Sequence, residues 1–278
     1  MAEHAGFCFG VRRAFNLVEN NYPELKKPIQ MYGSLVHNEE VINELNKKGV
    51  EVVHSLNQVK QGTLIITAHG ISPVQRKKLE SFSQLDILDT TCPRVTHIHE
   101  VVQQFHVEGR KVLIFGDRKH QEVKGIKGVN KDATHVFSGL EGFRKLNIDD
   151  EEKVGLVAQT TQNKEKFRKI TQEARNRFQD IVIMDTICNT TSWRQQEAKR
   201  MASSHDVMIV VGSSTSANTN RLYQVSKKIN PDSFFVGTAK DIRKSWFQNK
   251  KKVGITAGAS TPEWVIQEVV NTLKNMGK

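Results

Sequence analysis

The sequence predicts an α/β protein with mainly parallel sheets, divided into three similar lobes. Short apolar runs alternate with amphipathic segments along the chain, a pattern typical of β-α units with parallel strands. Three cysteines, Cys8, Cys92 and Cys188, stand 84 and 96 residues apart and divide the chain nearly evenly. Such spacing is what an internal repeat produces, so we expect each cysteine to belong to one lobe.

The second and third cysteines end segments of the same pattern. Asp89-Thr90-Thr91-Cys92 and Asp185-Thr186-Ile187-Cys188 both follow an apolar run and both precede a helical pattern. Gly6-Phe7-Cys8-Phe9-Gly10 also precedes a helix-like stretch. A helix N-terminus favours thiolate over thiol, and thiolates are the form that metals bind. From this repeat we expect lobes over residues 9–92, 93–185 and 186–278, the last together with residues 1–8.

Short apolar runs predict the strands of these lobes. The candidates are Thr63–Thr67, Val112–Phe115, Val154–Ala158, Val207–Val211 and Val253–Thr256. Two further helices are predicted. Phe167–Phe178 has apolar residues at helical spacing, and Pro262–Leu273 has proline in its first turn.

The composition limits the classes of ligand that the chain can bind, but it does not identify one. The 278 residues are 37% hydrophobic and carry a formal charge of +11, so the chain can build a core and attracts anions. Nucleic acid, an acidic protein and phosphorylated small molecules all fit that charge. Aromatic residues make up only 7%, and no RNA-binding signature is present, which argues against nucleic acid. With no signal peptide and no apolar run near ~18 residues, the expected location is the cytoplasm.

The three cysteines predict a metal centre rather than disulfides. Their number is odd, and the expected compartment is reducing. They are widely separated and form no C-x-x-C pair, which argues against a zinc hydrolase built on the same residues. Three distant thiolates around one metal centre are therefore the favoured interpretation.

Polar residues collect at the ends of the predicted strands, where ligands of open α/β sheets bind. Hydroxyl, amide and imidazole groups there can donate several hydrogen bonds to one anion. The residues in question are His69, His120, Glu122, Thr160, Ser216, Asn218 and Ser260. His37 joins them because it precedes a helix start at Asn38-Glu39-Glu40. The other histidines are expected to be surface or capping residues: His4, His54, His97, His99, His106, His135 and His205.

Nine segments in order resemble one family along nearly the whole chain, the 4-hydroxy-3-methylbut-2-enyl diphosphate reductases of isoprenoid biosynthesis. No single motif carries the resemblance, but nine in family order make coincidence very improbable. They are Gly6–Val11, Val36-His37-Asn38, Ala68-His69-Gly70, Asp89–Pro93, His120–Val123, Gln159-Thr160-Thr161, Ile187-Cys188-Asn189, Gly212–Leu222 and Thr256–Ser260.

The resemblance implies a pseudo-threefold cloverleaf of three α/β lobes around a central cavity that holds a cluster. Cys8, Cys92 and Cys188 would each ligate one iron of a [4Fe–4S] cluster, and the fourth iron would stay open to the substrate hydroxyl. An acidic ferredoxin or flavodoxin would be the electron donor.

The resemblance also implies a reaction and its residues. The substrate would be 4-hydroxy-3-methylbut-2-enyl diphosphate, reductively dehydroxylated to isopentenyl and dimethylallyl diphosphate in the last step of the methylerythritol phosphate pathway. Glu122 would be the proton source and would work with Thr160 near the leaving hydroxyl. The diphosphate would be bound by His37, His69, His120, Ser216, Asn218 and Ser260.

Two departures from the family pattern and one alternative accompany this interpretation. Ala217 stands where many relatives have serine, and only seven residues precede Cys8, fewer and less apolar than the usual strand. The alternative is another three-cysteine [4Fe–4S] enzyme, of quinolinate-synthase-like type. That class offers no reason for a histidine-rich diphosphate pocket.

Overall fold

The computed structural model describes residues 1–59 and 61–276. Those residues form ten α-helices and eleven β-strands. In chain order they are α1 (Phe9–Asn21), β1 (Ile29–Tyr32), α2 (Glu39–Lys47), β2 (Val50–Val53), β3 (Gly62–Ile66), α3 (Pro73–Glu80), β4 (Leu85–Asp89), α4 (Pro93–Val107), β5 (Lys111–Phe115), α5 (Gln121–Lys127), β6 (Thr134–Phe137), α6 (Gly139–Arg144), β7 (Val154–Ala158), α7 (Lys164–Arg177), β8 (Ile181–Ile183), α8 (Asn189–Ala202), β9 (Val207–Val211), α9 (Ala217–Ile229), β10 (Ser233–Val236), β11 (Val253–Ala257) and α10 (Glu263–Met276).

The chain divides into two compact units. The unit that we call the N/C unit contains residues 1–13, 34–50 and those from 189 onward, and the middle unit contains residues 14–33 and 51–188. Two four-stranded sheets belong to the middle unit, apart from the first residue of β2, and a three-stranded sheet belongs to the N/C unit. The strands pair in parallel and helices flank them, so the predicted α/β class is confirmed.

The first sheet of the middle unit has the strand order β2-β1-β3-β4. Its central strand β3 is buried along its whole length and lies between β1 and β4, with Ile65 opposite Met31 on one side and Leu88 on the other. Strands buried on both faces are continuous apolar runs, which explains the Leu64-Ile65-Ile66 sequence. The carboxyl end of β3 leads directly into residues 67–70.

The second sheet of the middle unit has the order β6-β5-β7-β8 and is covered on both faces. Leu113 and Phe115 of β5 pack with side chains of α7 on one face. Val112 and Ile114 pack with α4 and α5 on the other face. Successive strand residues point to opposite faces, so this five-residue strand contributes to two cores. Its carboxyl end leads into α5, and that of β7 leads into residues 159–163.

The sheet of the N/C unit has the order β10-β9-β11, with the earliest strand in the middle. Residues 207, 209 and 211 pack with α10, whereas Met208 and Val210 pack on the opposite face with α8 and α9. From β9 the chain passes through α9 to β10 on one side, and later it returns to form β11 on the other side of β9. The strand order therefore reverses between β9 and β11, and a crevice outside their carboxyl ends is the usual ligand site of such a sheet.

The five predicted strands are present, and their ends differ by at most one residue from the prediction. The helix predicted over residues 167–178 is α7, which begins three residues earlier and ends at Arg177, where Phe178 turns extended. The sheets' strands lie within the three predicted lobe spans, but the lobe boundaries and the threefold arrangement stay predictions.

None of the helices in the described part of the chain combines the length and the apolar character that a bilayer span requires.

Candidate functional site

Each of the three cysteines directly precedes a helix, as the repeat predicts. Cys8 is followed by α1, Cys92 is the N-cap residue of α4, and Cys188 is followed by α8. All three are half-buried, and within the described residues none of them forms a disulfide. Helix N-termini favour the thiolate, and thiolates are the usual ligands of iron–sulfur clusters. The donor set therefore fits such a cluster.

The Asp-Thr-x-Cys pattern occurs twice in the middle unit, and it forms the same hydrogen-bonded turn both times. Asp89 accepts a hydrogen bond from the amide of Thr91 (2.9 Å), and Asp185 accepts one from the amide of Ile187 (3.2 Å). Each aspartate thus closes a turn over the residue just before the cysteine. We call these two segments, residues 89–91 and 185–187, the Asp-Thr turns.

The threonine of each turn fixes it to the next strand of the sheet. Thr90 Oγ1 donates to the carbonyl of Ile66 at the end of β3 (2.6 Å), and Thr186 Oγ1 donates to that of Ala158 at the end of β7 (2.5 Å). Asp89 also forms an ion pair with Arg76 of α3. The repeat seen in the sequence is therefore a positioning device for Cys92 and Cys188.

The amide of each of these cysteines donates to a strand-end loop that carries a predicted site residue. Cys92 N donates to the carbonyl of Ala68 (3.1 Å), next to His69. Cys188 N donates to the carbonyl of Thr160 (2.9 Å). Gly70 ends the first loop with a left-handed φ of 71°, and a Cβ there would lie 3.0 Å from Thr91 Cγ2. The Ala68-His69-Gly70 motif thus needs glycine for both conformation and space.

Glu122 is a buried acid in the first turn of α5, with 3% of its surface exposed. It accepts hydrogen bonds from the amide of Thr160 (2.8 Å) and from Thr160 Oγ1 (2.7 Å). Burial raises the pKa of this carboxyl, although the hydrogen bonds from Thr160 oppose the shift. When protonated, the acid can donate to the same hydroxyl, which reverses this hydrogen bond and leaves the hydroxyl proton for another acceptor.

His69 and His120 lie beside each other in the middle unit. Their ring centroids are 5.5 Å apart, and the rings are nearly perpendicular. His120 is the N-cap residue of α5, and its Nδ1 accepts from the amide of Glu122 (3.3 Å). A neutral His120 therefore carries its proton on Nε2. We call His69, His120, Glu122 and Thr160 the acid–histidine chain, since successive contacts join them between Cys92 and Cys188.

A second group of predicted residues lies at the β9 and β11 strand ends of the N/C unit. Ser260 Oγ lies 3.3 Å from Ser216 Oγ and donates to the carbonyl of His37 (3.0 Å). Ser216 is also the N-cap residue of α9 and accepts from the amide of Thr219. Gly258 allows the loop after β11 to approach the first turn of α9, because a Cβ there would lie 2.0 Å from Thr219 Oγ1.

Asn218 completes this serine–asparagine group of Ser216, Asn218 and Ser260. Its side chain is 4% exposed, and within the described residues neither its amide nitrogen nor its oxygen has a hydrogen-bond partner. Buried polar groups are normally paired, so an unpaired amide here indicates a place for a polar ligand. Cys8 is tied to the same group, since its amide donates to the carbonyl of Ala259 (3.1 Å), the neighbour of Ser260.

His37 lies where its motif predicts, directly before α2. The next residue, Asn38, is the N-cap residue and accepts from the amide of Glu40 (3.0 Å). Burial lowers the pKa of His37, and Glu39 only partly opposes that shift. Without an anion beside it, this imidazole is neutral at neutral pH.

The expectation for His99 was wrong, since this histidine is neither a surface nor a capping residue. It lies partly buried in α4, where burial lowers its pKa and Asp89 raises it to a smaller extent. Its Nε2 is buried, with no hydrogen-bond partner in residues 1–59 and 61–276. The helical spacing indicated this position: residue 99 lies four residues after Val95 and three before Val102, so it shares their face of the helix.

Known proteins resemble the chain over nearly its full length. The family described as LytB protein matches residues 1–274. A 4-hydroxy-3-methylbut-2-enyl diphosphate reductase of Aquifex aeolicus is 38% identical over 99% of this chain and 96% of its own. One of Trichlorobacter lovleyi is 39% identical, over 98% and 96%.

Two solved structures give the same result. A structure of (E)-4-hydroxy-3-methyl-but-2-enyl diphosphate reductase, named as the terminal enzyme of the non-mevalonate pathway, is 39% identical, with a TM-score of 0.72 and 99% and 98% coverage of the two chains. The E-1-hydroxy-2-methyl-but-2-enyl-4-diphosphate reductase of Plasmodium falciparum is 34% identical, with a TM-score of 0.91 and 98% and 86% coverage. The chain therefore belongs to the LytB family of 4-hydroxy-3-methylbut-2-enyl diphosphate reductases, and it is an oxidoreductase.

Proposed function

We propose that this chain reductively dehydroxylates 4-hydroxy-3-methylbut-2-enyl diphosphate to isopentenyl and dimethylallyl diphosphate, on a [4Fe–4S] cluster ligated by Cys8, Cys92 and Cys188. The observation that carries the proposal is the acid–histidine chain, in which a buried acid and two imidazoles lie between Cys92 and Cys188. Family membership favours this reaction over a quinolinate-synthase-like one.

The diphosphate is assigned to His37, His69, His120, Ser216, Asn218 and Ser260. Support comes from the donor types and from the unpaired buried amide of Asn218. Imidazole, hydroxyl and amide groups supply directed donors to phosphate oxygens, and an adjacent anion favours the charged form of histidine. The excess of basic residues adds an attractive field.

Glu122 is assigned as the acid that protonates the departing oxygen. Loss of the hydroxyl as water breaks a C–O bond and consumes two electrons and two protons, one for the oxygen and one for the allylic carbon. A buried carboxyl with a raised pKa keeps its proton for this step, and Thr160 can relay it. When bound, the cluster would pass on the two electrons that the external donor supplies and would offer a Lewis-acidic iron, chemistry that no side chain can provide.

The electron donor is proposed to be an acidic ferredoxin or flavodoxin, which suits a chain of formal charge +11. The cytoplasm is the proposed location, because an odd number of cysteines suits a reducing compartment.

The direct test is an anaerobic assay. The chain, purified without oxygen and reconstituted with iron and sulfide, should contain about four irons and convert the diphosphate substrate with a chemical reductant such as dithionite. Mass spectrometry of the two products provides the measurement. Stoichiometric zinc instead of iron, or iron-loaded protein without product, would contradict the proposal.

A further inference from the structure

Cys8 lacks the device that positions the other two cysteines. No Asp-Thr turn precedes it, because residues 3–7 read Glu-His-Ala-Gly-Phe. In the described part of the chain, backbone hydrogen bonds to β11 and the loop after it tie the two ends of this segment: Ala2 N donates to Ile255 O (2.7 Å), and Cys8 N donates to Ala259 O (3.1 Å). The residues between these points must be held by other groups.

Glu197 of α8 holds the first part of the segment. Its carboxylate accepts from the amides of Glu3 (2.7 Å) and His4 (3.1 Å), and His4 Nδ1 lies 3.2 Å away. The residue is only 8% exposed. Burial alone would raise the pKa of Glu197, but the two amides and His4 outweigh it and lower the pKa, so the group is ionised. Hydrogen bonds that backbone amides donate to a carboxylate are among the stronger hydrogen bonds in proteins.

Arg194, one turn earlier on α8, holds the second part. It is 3% exposed, and its guanidinium donates to the carbonyl of Gly6 (2.6 Å). Gly6 has a left-handed φ of 86°, and a Cβ there would lie 3.0 Å from Ile266 Cδ1. The chain therefore turns at Gly6, two residues before Cys8, and Arg194 fixes the carbonyl at that turn. Residues three apart lie on one helix face, so both side chains reach the same segment.

We propose that Arg194 and Glu197 are positioning residues for Cys8, and that α8 does for this cysteine what the Asp-Thr turns do for Cys92 and Cys188. The inference rests on the proposed function, in which Cys8 is a cluster ligand. A thiolate held in place before metal arrives need not be ordered during cluster assembly, and supporting hydrogen bonds of this kind tune metal affinity.

The test uses cluster-free protein, so it does not depend on the reaction. Each cysteine is alkylated with iodoacetamide, and the rate at each is followed by peptide mass spectrometry, with Cys92 as the internal reference. Loss of the carboxylate in Glu197→Ala should raise the Cys8-to-Cys92 rate ratio by about tenfold, because the segment before Cys8 then opens locally. Arg194→Met should act in the same direction. Gln196→Ala, an exposed neighbour on the same helix, is the matched control and should leave the ratio unchanged.

An unchanged ratio in a folded Glu197→Ala protein would overturn the proposal. If that variant does not fold, Glu197→Gln takes its place: the amide oxygen keeps an acceptor but loses the charge, so a smaller rise of about threefold is expected. An unchanged ratio in folded Glu197→Gln would equally overturn it.

Iron binding separates this inference from the proposed function. In reconstituted protein, Glu197→Ala should lose its visible cluster absorbance to a chelator several-fold faster than the parent chain. Removing a group that hydrogen-bonds and orients a metal ligand typically costs about 10-fold in metal affinity. A parent chain that binds no iron would remove the proposed function. A parent chain that binds iron, with equal release from both proteins, would remove only the positioning role.

Discussion

The acid–histidine chain and the serine–asparagine group both contain a buried polar side chain, but they differ in whether its hydrogen bonds are satisfied. In the middle unit, the carboxyl oxygens of Glu122 are both paired with Thr160 in a buried, connected network. In the N/C unit, Asn218 is just as buried, yet its amide has no partner in the described residues. A satisfied network holds a proton in a fixed place, whereas an unsatisfied amide is ready for a ligand. From this comparison we expect the Glu122–Thr160 pair to govern turnover and the serine–asparagine group to govern substrate affinity.

The largest effect should come from the cysteines on which both groups depend. In Cys92→Ser, activity should fall below detection and iron well below about four per chain, because a serine hydroxyl is a poor iron ligand at neutral pH. Iron analysis and the anaerobic assay measure both effects. Full activity in this variant would contradict the ligand assignment.

The next largest effect should be confined to turnover. Glu122→Gln keeps the size of the buried side chain but removes its proton, so kcat should fall by about 10²-fold or more with the cluster retained. KM should change little, because Glu122 is not among the residues assigned to the diphosphate. Glu141→Gln, an exposed acid on α6, is the matched control. Near-normal turnover in Glu122→Gln would remove this residue from its role.

Asn218→Ala should produce the reverse pattern. A lost hydrogen bond to a charged group is worth about tenfold or more in affinity, so KM should rise by that factor while kcat stays near its original value. The unfolding temperature should change little, since the amide makes no hydrogen bond to any residue that the structure describes. Asn271→Ala on the surface of α10 serves as the control. A fall in kcat at unchanged KM would break the division between the two groups.

The smallest effect is a pH dependence of substrate affinity. Burial lowers the pKa of His37 in the free protein, whereas a bound diphosphate raises it, so binding takes up a proton. Affinity should therefore weaken as pH rises from the free-protein pKa, below 6.5, to the pKa in the complex, and then level off. Calorimetry on the parent chain and on His37→Asn measures this. A flat profile in the parent chain, or equal slopes in both proteins, would exclude a charged His37.

The sequence predicts the strand-end residues better than it predicts their contacts. The apolar runs identify β5, β7 and β9 because buried parallel strands must be apolar throughout. The short strands β1 and β10 were missed, since four residues with a polar member carry little signal. Glu122 and Thr160 are 38 positions apart, and their hydrogen bond depends on β5 and β7 being neighbours. Local sequence periodicity predicts strands but does not predict the order in which they pair.

Arg194 and Glu197 could not be found from the sequence for a different reason. Both belong to a stretch of α8 rich in charged and amide residues, which normally indicates a solvent-exposed face. Their burial depends on a partner segment at the other end of the chain. The Asp-Thr turns, in contrast, were visible as a repeat because the hydrogen bond that closes each turn joins residues two positions apart.

The hydrogen bond between Arg194 and Gly6 joins residues 188 positions apart, and this has a consequence for biosynthesis. Cys8 leaves the ribosome first, but the side chains that hold its segment are made only after two thirds of the polypeptide. At a translation rate of about 5–20 residues per second, Arg194 and Glu197 are synthesised roughly ten seconds or more after Cys8. Loading of iron during translation would therefore have to await α8, and a truncated nascent chain could offer iron no more than two ordered thiols.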